Sequence, residues 1–191
     1  MKVIQLHNHN IELIKKASKN NRKAQHMLYE THAPKMLSVC RYYVKDLQKA
    51  EEVMLNGFFK AFTNLSNFKN EGSFEGWLRK IMVREAISFL RQEKKIEFSV
   101  EDFEVNPEPT NNIQSSMELN EIQFYIDELP EGYKMVFVMY VIEGYKHHEI
   151  ASLLNINEGT SKSQLYKARQ LLQEKINKSN TINTTTDAMG K

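Results

Sequence analysis

The stretch His147–Ile176, HHEIASLLNINEGTSKSQLYKARQLLQEKI, predicts two helices joined by one tight turn. The apolar face of the first helix is formed by Ile150, Ala151, Leu153 and Leu154. Asn155 interrupts this pattern, and asparagine tolerates the left-handed backbone that a sharp turn needs. Asn157 is the expected N-cap of the second helix because its side chain can accept a backbone N–H. The stretch therefore predicts a helix-turn-helix.

The second helix of this stretch has two different faces. Its inward face is expected to contain Ser161, Leu165, Ala168 and Leu172, and its outward face Gly159, Ser163, Tyr166, Lys167 and Gln170. Lys162 lies at the flank of the outward face. A polar, cationic face of this kind can enter the major groove of DNA, where Lys contacts phosphate or guanine and Ser or Gln contacts base edges. The alternative is a solvated helix in a helical bundle.

Composition limits the class of protein. The 191 residues include only seven Gly and four Pro, and 41% of them are hydrophobic, which favours long helices around one or two cores. Cys40 is the only cysteine, so it cannot form an internal disulfide, and a reducing compartment is expected. We find neither a signal-peptide core nor an apolar run of about 20 residues. These features predict a cytoplasmic, all-α protein.

Two helices are predicted in the N-terminal half. The first spans residues 22–43 and is expected to be interrupted near Pro34, which lacks a backbone donor. The second spans residues 46–66 and has acidic residues near its start: Asp46, Glu51 and Glu52. The helix dipole alone explains carboxylates at that end. A docking site for a basic partner is the functional alternative.

An aromatic loop follows at residues 67–76, NFKNEGSFEG, and leads directly into Trp77. Phe68, Phe74 or Trp77 could stack on an unpaired base, which is worth about 1–3 kcal/mol per base. The alternative is that all three anchor the core, and for Trp77 we favour the core.

The helix after the loop has a basic stripe. The stripe consists of Lys80, Arg84, Arg91 and Lys95, while Leu78, Met82, Ala86, Phe89 and Leu90 line another face. Residues 77–95 contain six Lys or Arg and two Glu. Because a solvated face normally mixes both signs, this surplus favours a track for nucleic-acid phosphates.

After this helix the net charge of the sequence changes from positive to negative, and this change marks the boundary between two predicted domains. An acidic, flexible linker is predicted over residues 97–116, which contain NPEP and neither Lys nor Arg. Apolar patterns beyond it predict two more helices before the helix-turn-helix. We therefore expect two small helical domains, at residues 1–96 and 117–177, and a disordered tail at 178–191.

The order of these parts resembles a bacterial extracytoplasmic-function (ECF) sigma factor over about residues 11–176. AEEVMLNGFFKAF resembles its polymerase-docking helix, and GSFEGWLRKIMVREAISFLR resembles its promoter-melting, minus-ten segment. ELPEGYKMVFVMYVIEGYKHHEIASLLNINEGTSKSQLYKAR resembles its minus-thirty-five domain, in which TSKSQL is similar to members of the Bacteroidetes type. The chain differs from the usual family residues at Leu55, Asn56, Arg84, Ser88 and Asn155.

The resemblance implies a transcription initiation factor, with core RNA polymerase and promoter DNA as partners and a membrane-bound anti-sigma factor as a further candidate. It implies polymerase docking by Asp46, Glu51, Glu52 and Asn56. It implies minus-ten recognition and melting by Phe68, Asn70, Phe74, Trp77, Lys80, Arg84, Arg91 and Lys95. It implies minus-thirty-five recognition by Gly159, Thr160, Lys162, Ser163, Gln164 and Lys167.

The sequence leaves two other classes of function to compare with a sigma factor: a DNA-binding regulator and an enzyme. A helix-turn-helix regulator that acts without polymerase would share the C-terminal half, but it would not need the aromatic loop and basic stripe. An enzyme is not expected: His147 and His148 point to different helix faces, and no third ligand or nucleophile–base pair is evident. We therefore expect no cofactor, no metal and no small-molecule substrate.

Overall fold

The computed structural model describes residues 11–93, 96, 98 and 119–189, with side chains in its C-terminal part described over residues 121–178. All regular structure within these residues is helical, so the predicted all-α fold is confirmed. The chain divides into two compact units, Met1–Glu93 and Lys94–Lys191. Apart from Phe98, the predicted linker at residues 97–116 lies outside the described residues.

The first unit is a small helical bundle. Its elements are α1 (residues 11–17), α2 (Arg22–Tyr43), α3 (Leu47–Thr63), a 3₁₀ turn (Leu65–Asn67) and α4 (Phe74–Gln92). Helices α2, α3 and α4 pack against one another. The crossing of α3 and α4 is close at Gly57, where a Cβ atom would lie 2.3 Å from Sδ of Met82. Glycine at this position therefore permits the approach of the two helices.

Side-chain caps set the starts of α2, α3 and α4, and at α2 the Asn21 side chain accepts the Ala24 N–H at 2.9 Å. The Asp46 carboxylate accepts the Lys49 N–H at 2.9 Å and caps α3. The Ser73 hydroxyl accepts the Gly76 N–H at 3.0 Å and caps α4. Such a cap is worth about 1 kcal/mol, because it satisfies one of the unpaired donors of the first turn. Asp46 thus has a structural role, although it is exposed like Glu51 and Glu52.

Helix α2 corrects the prediction of an interruption near Pro34. The helix is continuous from Arg22 to Tyr43 and includes Pro34. Proline removes one backbone hydrogen bond, to the carbonyl of Glu30. Since Pro34 and Glu30 are both exposed, water can reach that carbonyl, while the buried face of α2 still packs on its neighbours. Solvation on the outer face and packing on the inner face together explain why the helix continues.

The second unit contains the predicted helix-turn-helix. Its elements are α5 (Leu119–Asp127), α6 (Glu131–Phe137), a π-helical turn (Val138–Ile142), α7 (His147–Leu154) and α8 (Glu158–Met189). Helix α8 packs against α5, α6 and α7. The buried core includes Ile126, Leu129, Met135, Val136, Val138, Met139, Ile150, Leu154, Leu165 and Ala168. Among the helices that the structure describes, none is both long and apolar enough to cross a membrane.

The turn between α7 and α8 confirms the expected chemistry. Asn155 has a φ of 56° and a ψ of 49°, in the left-handed region. The Asn157 side chain accepts the Thr160 N–H at 2.6 Å, as expected of an N-cap. Together these two asparagines reverse the chain and begin α8.

The π-helical turn changes which residues of the second unit face inward. The apolar pattern of the sequence favours Tyr140 and Val141 as buried positions of this helix, but both are exposed, and Val138 and Met139 are buried. The Glu143 N–H bonds the Val138 carbonyl, five residues back, at 3.0 Å. A π turn contains one more residue than an α turn, so the residues that follow are rotated. Periodicity at 3.6 residues does not anticipate this rotation.

The end of α8 also differs from expectation. Residues 178–191 were predicted to be a disordered tail, but α8 continues to Met189. Extending an existing helix adds one hydrogen bond for each residue fixed, whereas starting a helix is costly. A weakly helical sequence can therefore continue a helix that packing has already formed upstream.

Candidate nucleic-acid interface

The exposed face of α3 combines acidic and apolar side chains. Glu51, Glu52 and Asn56 are exposed, as a docking role requires. Leu55 is 52% exposed and Phe59 is 73% exposed on the same helix. Because Glu51, Leu55 and Phe59 recur every four residues, they form one stripe on the surface. We call these residues, with Glu52 and Asn56, the α3 face.

A cleft lies between the aromatic loop and the start of α4. Asn70 and Gly72 have positive φ angles of 56° and 104°, which turn the loop back toward the helix. Phe68 and Trp77 are half-buried, with ring centroids 5.4 Å apart. The cleft has a volume of about 330 Å³ and is lined by Asn67, Phe68, Lys69, Glu71, Gly72, Ser73, Gly76, Trp77 and Lys80. We call it the loop cleft.

Phe74 corrects one part of the predicted base-stacking site. Its side chain is only 9% exposed. It contacts Phe68 and His32 edge-on, with centroid distances of 5.5 and 5.3 Å. A ring enclosed in this way anchors the core and leaves no face for a base. Phe68 and Trp77 keep exposed surface, so only they remain available for stacking.

The basic stripe of α4 lies on the exposed side of the helix. Lys80, Arg84 and Arg91 are exposed, whereas Lys95 lies outside the described residues. The two glutamates of α4, Glu75 and Glu85, are only partly exposed and form ion pairs with Lys35 and Lys60. In α4, from Phe74 to Gln92, no carboxylate is fully exposed to balance the stripe. This surface therefore favours a polyanion.

A second cleft shares Asn67 and Trp77 with the loop cleft. Its volume is about 370 Å³, and its lining residues are Lys60, Asn64, Asn67, Trp77, Ile81, Arg84, Glu85 and Ser88. The basic stripe thus begins beside the loop cleft and continues past this second opening. Trp77 is common to both openings.

Helix α8 exposes a different set of residues from the predicted one. Lys162 and Gly159 are exposed, and Thr160 and Lys167 are half-buried, so these four can face a ligand. Ser163 and Gln164 cannot, because they are 5% and 1% exposed.

The burial of Ser163 has a physical explanation. The Ser163 hydroxyl donates to the Thr160 carbonyl at 3.0 Å, so its polar group is satisfied within the helix. More residues of α8 pack against α6 and α7 than the four that were predicted to face inward. Ser163 and Gln164 therefore lie on the packed side of α8.

Tyr166 and Gln170 are exposed on α8, as expected of its outward face, and Arg169, which belonged to neither predicted face, is exposed beside them. Lys162, Tyr166 and Arg169 follow one another at spacings of four and three, so they lie on one face. The sequence contains the information that identifies this exposed face, because Leu165 and Ala168 mark the opposite, buried side of α8. We call Lys162, Tyr166, Lys167, Arg169 and Gln170 the α8 face.

The arrangement offers surfaces for binding. Within the described residues, no group of three or more His, Cys, Asp or Glu side chains could hold a metal ion. Two helices in separate units expose mainly cationic or neutral polar side chains, and one lies beside an aromatic cleft. Surfaces of this composition suit nucleic acid.

Comparisons with known proteins agree with this interpretation. Residues 28–96 match the family model for Sigma-70 region 2, and residues 119–172 match the model for Sigma-70 region 4. The chain is 31% identical to the RNA polymerase sigma factor SigV of Bacillus subtilis over 136 residues, which cover 71% of this chain and 81% of that protein. It is 28% identical to the ECF RNA polymerase sigma-E factor of Escherichia coli K12 over 180 residues, which cover 86% and 92%.

A solved structure shares the fold. The sigma factor RpoE of Bartonella quintana, crystallised with the anti-sigma factor NepR, aligns with a TM-score of 0.52 and 19% identity. The alignment covers 78% of this chain and 93% of that one. The two family models, the SigV identity and the helical architecture lead to one assignment. The chain belongs to the ECF group of RNA polymerase sigma factors, the initiation factors that direct RNA polymerase to promoters.

Proposed function

We propose that this sigma factor melts and reads the minus-ten element with the loop cleft and the basic stripe of α4. The observation that carries the proposal is the exposed side of α4, which carries Lys80, Arg84 and Arg91 and begins beside a cleft walled by Trp77. Cations hold the phosphate backbone of either strand, and an aromatic wall holds a base that has left the duplex. The stripe and the loop cleft together suit DNA that is opening.

The second DNA surface in this proposal is the start of α8. Lys162 and Lys167, with Gly159 and Thr160, lie within its first three turns, where a helix-turn-helix contacts the major groove. Tyr166 and Gln170 extend the same surface and replace Ser163 and Gln164 as candidates for contact with base edges. We assign the minus-thirty-five element to this surface.

The α3 face is the proposed docking site for core RNA polymerase. Its carboxylates and exposed Phe59 fit a partner surface that is both basic and apolar. The resemblance extends the proposal to a cytoplasmic protein of the Bacteroidetes type. The Bartonella quintana relative was solved with an anti-sigma factor, and we propose a partner of that class, held in the membrane, for this chain.

The stripe is tested by the salt dependence of promoter binding. Each lost phosphate contact should lower the slope of log K against log salt by about 0.7–0.9. The polymerase holoenzyme carrying Arg84→Ala should show this loss on promoter DNA across several sequences. Lys23→Ala, which removes an exposed charge from α2, should keep the wild-type slope. Equal slopes for Arg84→Ala and wild type would remove Arg84 from the interface.

Docking is tested by retention of the chain on core polymerase. Phe59→Ala should weaken retention at least tenfold without changing stability, because Phe59 is exposed in the free chain. Phe124→Ala is the matched control, since it removes another exposed phenylalanine from the second unit. If the wild-type chain is not retained but still binds duplex DNA, the regulator that acts without polymerase becomes the better explanation.

A further inference from the structure

A ladder of four side chains runs beside the start of α8. The Arg169 guanidinium lies over the Tyr140 ring, 5.9 Å from its centroid. The ring of His147 also contacts Tyr140, stacking on it at 4.6 Å with an interplanar angle of 24°. Nδ1 of His147 is 2.9 Å from the hydroxyl of buried Ser161. We call Arg169, Tyr140, His147 and Ser161 the α8 ladder.

Three elements contribute to this ladder. Tyr140 comes from the π-helical turn, His147 begins α7, and Ser161 and Arg169 belong to α8. The π-helical turn leaves Tyr140 36% exposed, so that its ring can support both neighbours. π turns are rare and occur frequently at functional sites. The ladder therefore holds Arg169 in a defined orientation at the surface.

The surface around the α8 ladder carries more positive than negative charge. Burial lowers the pKa of His147, and the nearby Lys162 and Arg169 lower it further, while Glu158 acts in the opposite direction. Lys162 and Arg169 are exposed, and no carboxylate of the described residues forms an ion pair with either. Two cations near one ring, with a single carboxylate opposing them, form a site for an anion.

We propose that the α8 ladder is a clamp for one backbone phosphate of promoter DNA, beside the groove that α8 enters. Arg169 and Lys162 would bind the phosphate, and Tyr140 would act as a positioning residue for Arg169. A guanidinium held over a ring presents its N–H groups at the edge, which suits two phosphate oxygens. This inference rests on the proposed role of α8 in DNA binding.

A phosphate is a better ligand for this site than a base edge. Arg169 lies eleven residues beyond the first residue of α8, whereas base contacts in a helix-turn-helix come from the N-terminal part of the recognition helix. Residues farther along such a helix approach the backbone that borders the groove. The clamp would thus set the register of α8 without specifying a base.

The test removes the charge of one phosphate at a time. Holoenzyme is bound to duplexes that contain its preferred upstream element and a single methylphosphonate linkage at each position in turn. At one or two linkages, neutralisation should weaken wild-type binding about tenfold, the scale of a hydrogen bond between charged groups. Arg169→Ala should weaken binding to the normal duplex to a similar extent. At those same linkages the variant should lose less affinity than wild type, because only Lys162 still contacts the phosphate.

Two more variants separate positioning from folding. Tyr140→Ala should abolish the linkage-specific effect, and Tyr140→Phe should restore it, because phenylalanine keeps the ring and loses only the hydroxyl. Lys178→Ala, an exposed charge farther along α8, should retain the wild-type pattern of linkages. If Arg169→Ala and wild type lose the same affinity at every methylphosphonate linkage, the ladder serves only to stabilise the fold. The proposed phosphate clamp is then wrong. If wild-type holoenzyme prefers no upstream duplex, the proposed role of α8 fails instead.

Discussion

Helices α4 and α8 both present positive charge, but their buried faces differ. The buried residues of α4 are all apolar: Phe74, Leu78, Met82, Val83, Ala86, Ile87 and Leu90. The buried residues of α8 include Ser161, Ser163 and Gln164 beside Leu165 and Ala168. Polarity therefore separates the two faces of α4 and does not separate those of α8. A hydrophobic pattern identifies an exposed face only when the core side is apolar.

The two helices also distribute their cations differently. On α4, Lys80, Arg84 and Arg91 extend over about three turns. On α8, Lys162, Lys167 and Arg169 lie within about two turns near the helix start. A long track suits many phosphates, whereas a short cluster beside polar side chains suits one location on a duplex. The comparison predicts different consequences for substitutions on each helix.

The largest effect is expected on the buried face of α4. Phe74→Ala should destabilise the first unit by about 3–5 kcal/mol, because the ring is enclosed by Phe68, His32 and Trp77. Trp77 is the only tryptophan, so its fluorescence during urea unfolding reports on this unit. Lys80→Ala, on the exposed face, should change stability by less than about 0.5 kcal/mol. If the two variants lost equal unfolding free energy, the distinction between the buried and exposed faces of α4 would be wrong.

An intermediate effect is expected for the buried polar residues of α8. Gln164→Ala should destabilise the second unit by about 1–3 kcal/mol, because it removes a fully buried side chain and leaves a cavity, and should leave the base preference of the folded protein unchanged. Lys162→Ala should do the reverse, weakening DNA binding while keeping stability. Amide exchange in α7 measures stability, and selection of preferred duplexes measures specificity. A changed base preference in Gln164→Ala with unchanged exchange would return Gln164 to the interface.

The smallest effect is expected from pH. Burial, followed by Lys162, holds the pKa of His147 below its ordinary 6.5 in the folded chain. As pH falls through 6.5, the unfolded chain takes up a proton before the folded chain does. The stability of the second unit should therefore fall below about pH 6.5 and level off beneath the folded pKa.

His147→Gln should flatten that pH dependence, and His148→Gln should keep it, since His148 is exposed. The measurement is urea unfolding at several pH values, followed by resonances of α7. A signal from this helix is required because burial also lowers the pKa of His32 in the first unit. An unchanged pH dependence in His147→Gln would assign the effect to another group.

Local sequence patterns were enough to predict the helical class, the turn at Asn155 and the two faces of α4. Each depends on local chemistry: few glycines and prolines, an asparagine that accepts a left-handed backbone, and an apolar stripe with a helical period. The exposure of Lys80, Arg84 and Lys162 was predictable for the same reason. A long cationic side chain is rarely buried without a partner.

Packing between segments that are distant in the sequence determines whether Phe74, Tyr140, Ser163 and Gln164 face inward or outward. An aromatic ring or a short polar side chain can be stable on either side of a helix, provided that a neighbour encloses it or satisfies its hydrogen bonds. For Tyr140, the deciding neighbour is a π-helical turn that rotates the chain. For Ser163, the hydroxyl bonds within α8 itself, so packing against α6 and α7 can bury it. These outcomes depend on contacts between distant segments, which a local pattern does not contain.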